Sequence, residues 1–107
     1  MVTPEILNEI TSRLVSRFRP EKIILFGSRA RGTADARSDV DLLVICHINN
    51  GRHQLMVEMD RALRGILVGR DIVVMTPEEF DRDQRIPGTL AQPASLEGQV
   101  LYERCKD

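Results

Sequence analysis

Tryptophan is absent from this chain, and one tyrosine and three phenylalanines are its whole aromatic complement. The core must therefore be built from Leu, Ile, Val, Met and Ala, which the 42% hydrophobic content readily supplies. Cysteine is nearly as scarce. Cys46 and Cys105 do not make a disulfide framework, and together with His47 and His53 they lack any close pair at zinc-ligand spacing. No apolar run approaches the roughly 20 residues that span a bilayer, and the N-terminus has no charged-then-apolar signal pattern. A cytoplasmic protein without a membrane partner is the expectation. A basic excess is missing too: the formal net charge is −1 and the cations are spread along the chain, which argues against a nucleic-acid surface held by phosphate neutralisation. All the basic residues except Lys22 and Lys106 are arginine, whose planar fork suits phosphate oxygens wherever several converge. There is no internal repeat and no low-complexity run, and 107 residues are expected to form a single domain over 1–107.

Helical and extended patterns alternate. Thr3 and Pro4 open a helix in which Ile6, Leu7, Ile10, Leu14 and Phe18 recur on one face until the break at Pro20. Lys22–Phe26 reads as a short buried strand stopped by Gly27, and a loop then runs to Ser38. Val40–Cys46 is the strongest strand, ended by the Asn49, Asn50, Gly51 turn cluster. Leu55, Met56, Met59, Leu63, Ile66 and Leu67 mark an amphipathic helix closed by Gly69. Asp71–Met75 is a third strand. Thr76, Pro77, Glu78 and Glu79 form a capping box with proline at the first helical position, and Met75 can staple against Phe80. Between Arg85 and Gly98 only a helical piece around Thr89–Leu96 is expected, before Gln99–Tyr102 becomes extended again. The expected architecture is α/β (α+β), a small mixed sheet of three to four strands flanked by helices.

One segment departs from a plain core pattern. In a strand Asp39 and Asp41 project from one face, with Val40, Leu42 and Val44 on the other. Two neighbouring carboxylates repel, and partial burial aggravates this unless protons or a cation neutralise them. Oxygen donors favour Mg²⁺, Mn²⁺ or Ca²⁺. Asp71 opens the next apolar strand and shares a face with Val73 and Met75, so pairing of the two strands would bring a third acid to the same place. Three acids around two metal ions suit in-line displacement at phosphorus. The preceding loop offers the complementary half. Gly27 allows backbone N–H groups to approach an anion, Ser28 adds a hydroxyl, and Arg29 and Arg31 bring positive charge. Walker A is excluded because Thr33 and Ala34 stand where Lys and Ser or Thr are required. A calcium-binding EF-hand starting at Asp39 is excluded by Leu43 and Val44.

The run Gly27-Ser28, ten residues, Asp39-x-Asp41 resembles the minimal nucleotidyltransferases of the polymerase β superfamily. Their longer pattern, Gly-Ser-x-Ala-Arg-Gly, five residues, Ser-Asp-x-Asp-Leu, is met at every fixed position from Gly27 to Leu42, including Ser38. The similarity extends through Asp71 to the segment from Gly98 to Tyr102. The resemblance implies the nucleotidyltransferase fold, with triphosphate binding by Gly27 and Ser28, aided by Arg29, Arg31 and Ser38. It implies Asp39, Asp41 and Asp71 as catalytic residues and metal ligands, two Mg²⁺ ions with Mn²⁺ as the alternative, and ATP as co-substrate. Proteins of this kind are commonly antitoxins encoded beside an all-helical HEPN ribonuclease toxin, and transfer AMP to one of its tyrosines. Homo- or hetero-oligomers are compatible with that arrangement. Two other classes stay open: an antitoxin that acts by binding alone, and a transferase that modifies a small molecule such as an aminoglycoside with help from a second subunit. An intact acidic triad speaks against the first, and the absence of an acceptor domain against the second.

Overall fold

The computed structural model describes residues 4–26, 40–49, 51–66, 69–83, 85–86 and 98–104. Among them seven elements follow in order: α1 (Pro4–Phe18), β1 (Lys22–Phe26), β2 (Val40–Ile45), α2 (Arg52–Ala62), β3 (Arg70–Met75), α3 (Pro77–Asp83) and β4 (Gln99–Glu103). The strands form one sheet in the order β3-β2-β1-β4. β1 runs antiparallel to both β2 and β4, whereas β2 and β3 are parallel and joined through α2. The sheet is thus mixed, and the extended pattern at Gln99–Tyr102 is its fourth, edge strand. A register shift between Ile23 and Ile24, opposite Tyr102 and Val100, leaves Leu101 as the additional residue of a bulge.

Strand alternation divides the core into two layers. Ile23, Leu25, Val40, Leu42, Val44, Ile72 and Val74 face α1 and α2, where Ile10, Leu14 and Met59 are fully buried. Ile24, Leu43, Ile45 and Met75 face α3, which contributes Phe80. A sheet apolar on both faces explains why Ile23–Phe26 and Leu42–Cys46 read as unbroken hydrophobic runs.

Helix ends follow local chemistry. α1 stops where Arg19 takes a left-handed conformation (φ 48°) just before Pro20, with its N–H donating to the Val15 carbonyl (3.1 Å) and the Arg104 guanidinium donating to its own carbonyl. α3 carries the expected capping box: the Thr76 N–H donates to Glu79 Oε1 (2.9 Å) and the Glu79 N–H to Thr76 Oγ1 (3.1 Å). Met75 and Phe80 lie in one cluster, as the staple requires.

The second helix is shorter than its apolar periodicity predicts. It ends at Ala62 instead of running through Leu67 to Gly69. Leu63, Arg64 and Ile66 donate to carbonyls three residues back, a tighter winding than the α-helix, and Gly65 takes φ +98°, which glycine adopts without a Cβ penalty. Leu63 and Ile66 still pack on the core, so the periodicity persisted past the end of the helix. Two arginines also bind carbonyls there. Arg13 Nη1 donates to Ala62 (3.4 Å) and Arg64 (2.9 Å), and Arg70 donates to Asp60 (3.2 Å) and Ile66 (3.1 Å). The expected helical piece at Thr89–Leu96 lies outside the described residues.

Candidate functional site

The parallel pairing of β2 with β3 places Asp41 opposite Asp71, and the antiparallel pairing of β1 with β2 places Phe26 opposite Asp41. Phe26, Asp41 and Asp71 therefore form one row across three strands, on the face that carries Leu43, Ile45 and Met75 further along. Neighbouring strands are about 4.8 Å apart, so the two carboxylates are nearest neighbours across the ladder. Asp41 is half-buried and Asp71 exposed, which puts the row at the solvent end of the strands, beyond the buried Leu43, Ile45 and Met75 of the same face.

This end of the sheet is well anchored. The Val40 N–H donates to the Gly69 carbonyl (2.8 Å), which continues the β2–β3 ladder just before the two acids. Arg70, next to Asp71, pairs with Asp60 of α2 (3.2 Å) and donates to the two carbonyls named above. Asp71 is thus presented from a strand whose first residue is tied to the last turn of the crossover helix.

Of the residues expected from the sequence to form a site, Asp41 and Asp71 are brought together. Gly27, Ser28, Arg29, Arg31, Ser38 and Asp39 lie outside the described residues. The chain leaves β1 at Phe26 and enters β2 at Val40, and both residues are at Asp41's end of the sheet. Among the described residues no group of three His, Cys, Asp or Glu side chains could hold a metal ion. The donor set that is described, two side-by-side carboxylates without sulfur or imidazole, fits a hard divalent cation such as Mg²⁺. Away from this site, burial pushes the Cys46 thiol above its ordinary value and so lowers its thiolate fraction.

Sequence reasoning passed over a groove of about 460 Å³ between α2 and β3 that reaches Asp71. His53, Val57, Arg61 and Arg64 line it from α2 and the turn after it, and Ile72 lines it from β3. The signal was present in their spacing of four, four and three residues, which sets them on one helical face. Without the position of β3, however, that face was indistinguishable from a solvated one.

A mixed four-stranded sheet with helices on both faces, and an acid pair at the end of its parallel strands, defines an α+β domain of nucleotidyltransferase fold. The chain belongs to the polymerase β nucleotidyltransferase family, whose model ("Polymerase beta, Nucleotidyltransferase") matches residues 8–107. No curated protein matches it in sequence. Among solved structures it is similar to a candidate nucleotidyltransferase from Sulfolobus solfataricus, with 25% identity and a TM-score of 0.66 over 94% of this chain and 79% of that one. It is also similar to a toxin–antitoxin structure with AMP-PNP, with 24% identity and a TM-score of 0.59 over 92% of this chain and 73% of that one. A mutant of the toxin–antitoxin pair MntA–HpeT has 22% identity and a TM-score of 0.60, over 92% and 73% of the respective chains. Among the described residues no helix is long and apolar enough to cross a membrane.

Proposed function

We propose that this chain is an antitoxin that transfers AMP from ATP to a tyrosine hydroxyl of a cognate helical HEPN toxin. The observation that carries the reading is the register of Asp41 against Asp71 on parallel neighbouring strands, in a chain of the polymerase β nucleotidyltransferase family. The fold shared with toxin–antitoxin structures, one of them with AMP-PNP, supports the choice of nucleotide and partner.

In this reading Gly27 and Ser28 hold the triphosphate through backbone N–H groups and a hydroxyl, and Arg29, Arg31 and Ser38 assist. Asp39 and Asp41 supply oxygen donors on the nucleotide side, and Asp71 lies on the acceptor side. The tyrosyl oxygen attacks the α-phosphorus in line. The bond from that oxygen to phosphorus forms, the bond from the α-phosphorus to the bridging oxygen breaks, and pyrophosphate leaves with the electron pair. Asp71 takes the phenolic proton. Bound Mg²⁺ ions supply neutralisation of the charge that grows on the attacking and leaving oxygens.

Asp71→Asn tests the reading, because a positioned base contributes typically about 10² to 10⁴ in rate whereas the triphosphate is held mainly elsewhere. Purified protein is mixed with labelled ATP, Mg²⁺ and the partner encoded beside it. The parent is expected to label the partner and suppress its ribonuclease activity. Asp71→Asn is expected to bind ATP and partner almost normally while losing transfer. If the variant neutralises the toxin as well as the parent does without transferring label, contact alone explains the antitoxin effect and the enzymatic reading fails. Label on a small molecule but on no tyrosine would overturn the acceptor and leave the chemistry in place.

A further inference from the structure

We infer that Phe26 is the platform on which the nucleobase of the triphosphate stacks, with Val100 as the outer part of the same apolar shelf; this rests on the transfer reading above. The chain has four aromatic side chains in all, three phenylalanines and one tyrosine. Three of them stand toward the other end of the sheet. Phe18 lies beside Cys46 and His47, past the end of β2, the Phe80 ring is 6.0 Å from the Lys22 ammonium, and Tyr102 is paired with Ile23 near the start of β1. Phe26 alone belongs to the acid row, directly opposite Asp41 and on the face that Asp41 shares with Asp71.

The ring is only in part absorbed by the core. Phe26 packs against the cluster of Ile24, Leu43, Ile45, Met75 and Phe80, yet it is partly exposed, whereas Ile24 and Leu43 in the next row are buried. β4 does not cover its flank. The pairing of β4 with β1 ends at Gln99 opposite Leu25, on the other face, and the residue before Gln99 is Gly98, which has no side chain. The β4 side chain on Phe26's own face is Val100, opposite Ile24 and one row back, and it is 49% exposed. Ring and valine thus form an apolar shelf open to solvent beside two carboxylates. The order along the row, Phe26, Asp41, Asp71, decides which ring the shelf takes. Asp71 is on the edge strand at the acceptor side, whereas Phe26 flanks Asp41 on the other side and leads directly into Gly27 and Ser28, the residues that hold the triphosphate in the transfer reading. A nucleotide with its phosphates at that turn and at Asp41 has its base one strand spacing away from the ring, and a tyrosine at Asp71 does not. Stacking on an aromatic face ignores the hydrogen-bonding edge of the base and favours the larger ring system, so adenine and guanine are taken alike and uracil less well.

The test uses the full chain in Mg²⁺ without a partner, and ATP, GTP, UTP and inorganic tripolyphosphate as probes. Because the chain has no tryptophan, Phe26→Trp introduces its only indole. The fluorescence of that variant is expected to fall on addition of ATP or GTP and to stay level with tripolyphosphate. In titration calorimetry the parent is expected to bind ATP and GTP alike, and both tighter than UTP or tripolyphosphate. Phe26→Leu keeps an apolar side chain for the core and is expected to weaken ATP binding about tenfold, the scale of one base–aromatic stack, with tripolyphosphate binding unchanged. Val100→Ser, at an exposed position, is expected to weaken ATP binding to a smaller extent, again without effect on tripolyphosphate. Equal losses of ATP and tripolyphosphate in Phe26→Leu, a parent that binds tripolyphosphate or UTP as tightly as ATP, or an indole quenched by tripolyphosphate as strongly as by ATP would overturn the inference. If Phe26→Leu does not fold, the indole of Phe26→Trp and the Val100→Ser titrations decide the matter. Labelled ATP with the partner separates stacking from the transfer reading. A Phe26-dependent preference for ATP over tripolyphosphate with no label on the partner defeats transfer alone, whereas label transfer with the same KM for ATP in Phe26→Leu as in the parent defeats stacking alone.

Discussion

Asp41 and Asp71 differ in exposure although they share a row, because β2 is an inner strand and β3 an edge strand. That asymmetry matters for a cation site: the inner carboxylate is held by strands on both sides, and the outer one remains accessible to an acceptor. A ligand that binds only the folded state raises the melting temperature by mass action. Mg²⁺ with ATP is therefore expected to raise the melting temperature of the parent, and Asp41→Asn is expected to lose most of that increment while retaining its circular dichroism spectrum. A full Mg²⁺-dependent increment in Asp41→Asn would remove this residue from the metal site. In chelator and at low salt, Asp71→Asn is expected to melt no lower than the parent, since the substitution relieves repulsion across one strand spacing.

At the scale of elements, α3 shows how one side chain joins local and distant structure. Glu79 closes the capping box on Thr76 and also accepts from Arg52 Nη2, at 2.6 Å and 2.7 Å, so that the start of α2 is tied to α3. Thr76→Ala removes half of the box and is expected to cost about 1 kcal/mol in denaturant unfolding. The hydrogen bond from Arg52, and after it that from the Thr76 backbone, hold the Glu79 carboxyl below its ordinary value of 4.5. The folded state thus binds fewer protons than the unfolded state as the pH falls through that range. The contribution is complete above the ordinary value and is lost as the pH drops through the lowered one. Parent and Glu79→Gln are expected to differ more at pH 7 than at about pH 3.5, in the parent's favour. An unchanged difference would show that the ion pair contributes nothing to stability.

For the whole molecule, the sheet separates two apolar layers, and adjacent residues of β1 report on different ones: Ile23 on the α1/α2 side and Ile24 on the α3 side. Ile23→Val and Ile24→Val are each expected to cost about 0.5–1.5 kcal/mol. Their effects are expected to add within about 0.5 kcal/mol in the double variant, as for sites without shared partners. A larger coupling energy in denaturant melts would mean that the two layers respond as one. Whatever neighbours within four residues could decide was legible in the chain: the face of α1, the stop at Pro20, the capping box of Thr76 and Glu79, and the alternation that sets Asp41 apart from Leu42. The pattern from Gly27 to Leu42 likewise announced the family before any fold was known. The end of α2 was not legible, because Leu63 and Ile66 stay apolar for packing after the helix has given way to tighter turns, and because the carbonyls there are bound by Arg13 and Arg70 from other elements. The pairing of Asp41 with Asp71 was only conditional on two strands meeting. That register, and the groove between α2 and β3, belong to the tertiary structure, since strand pairing and the seating of a crossover helix depend on burial summed over distant segments.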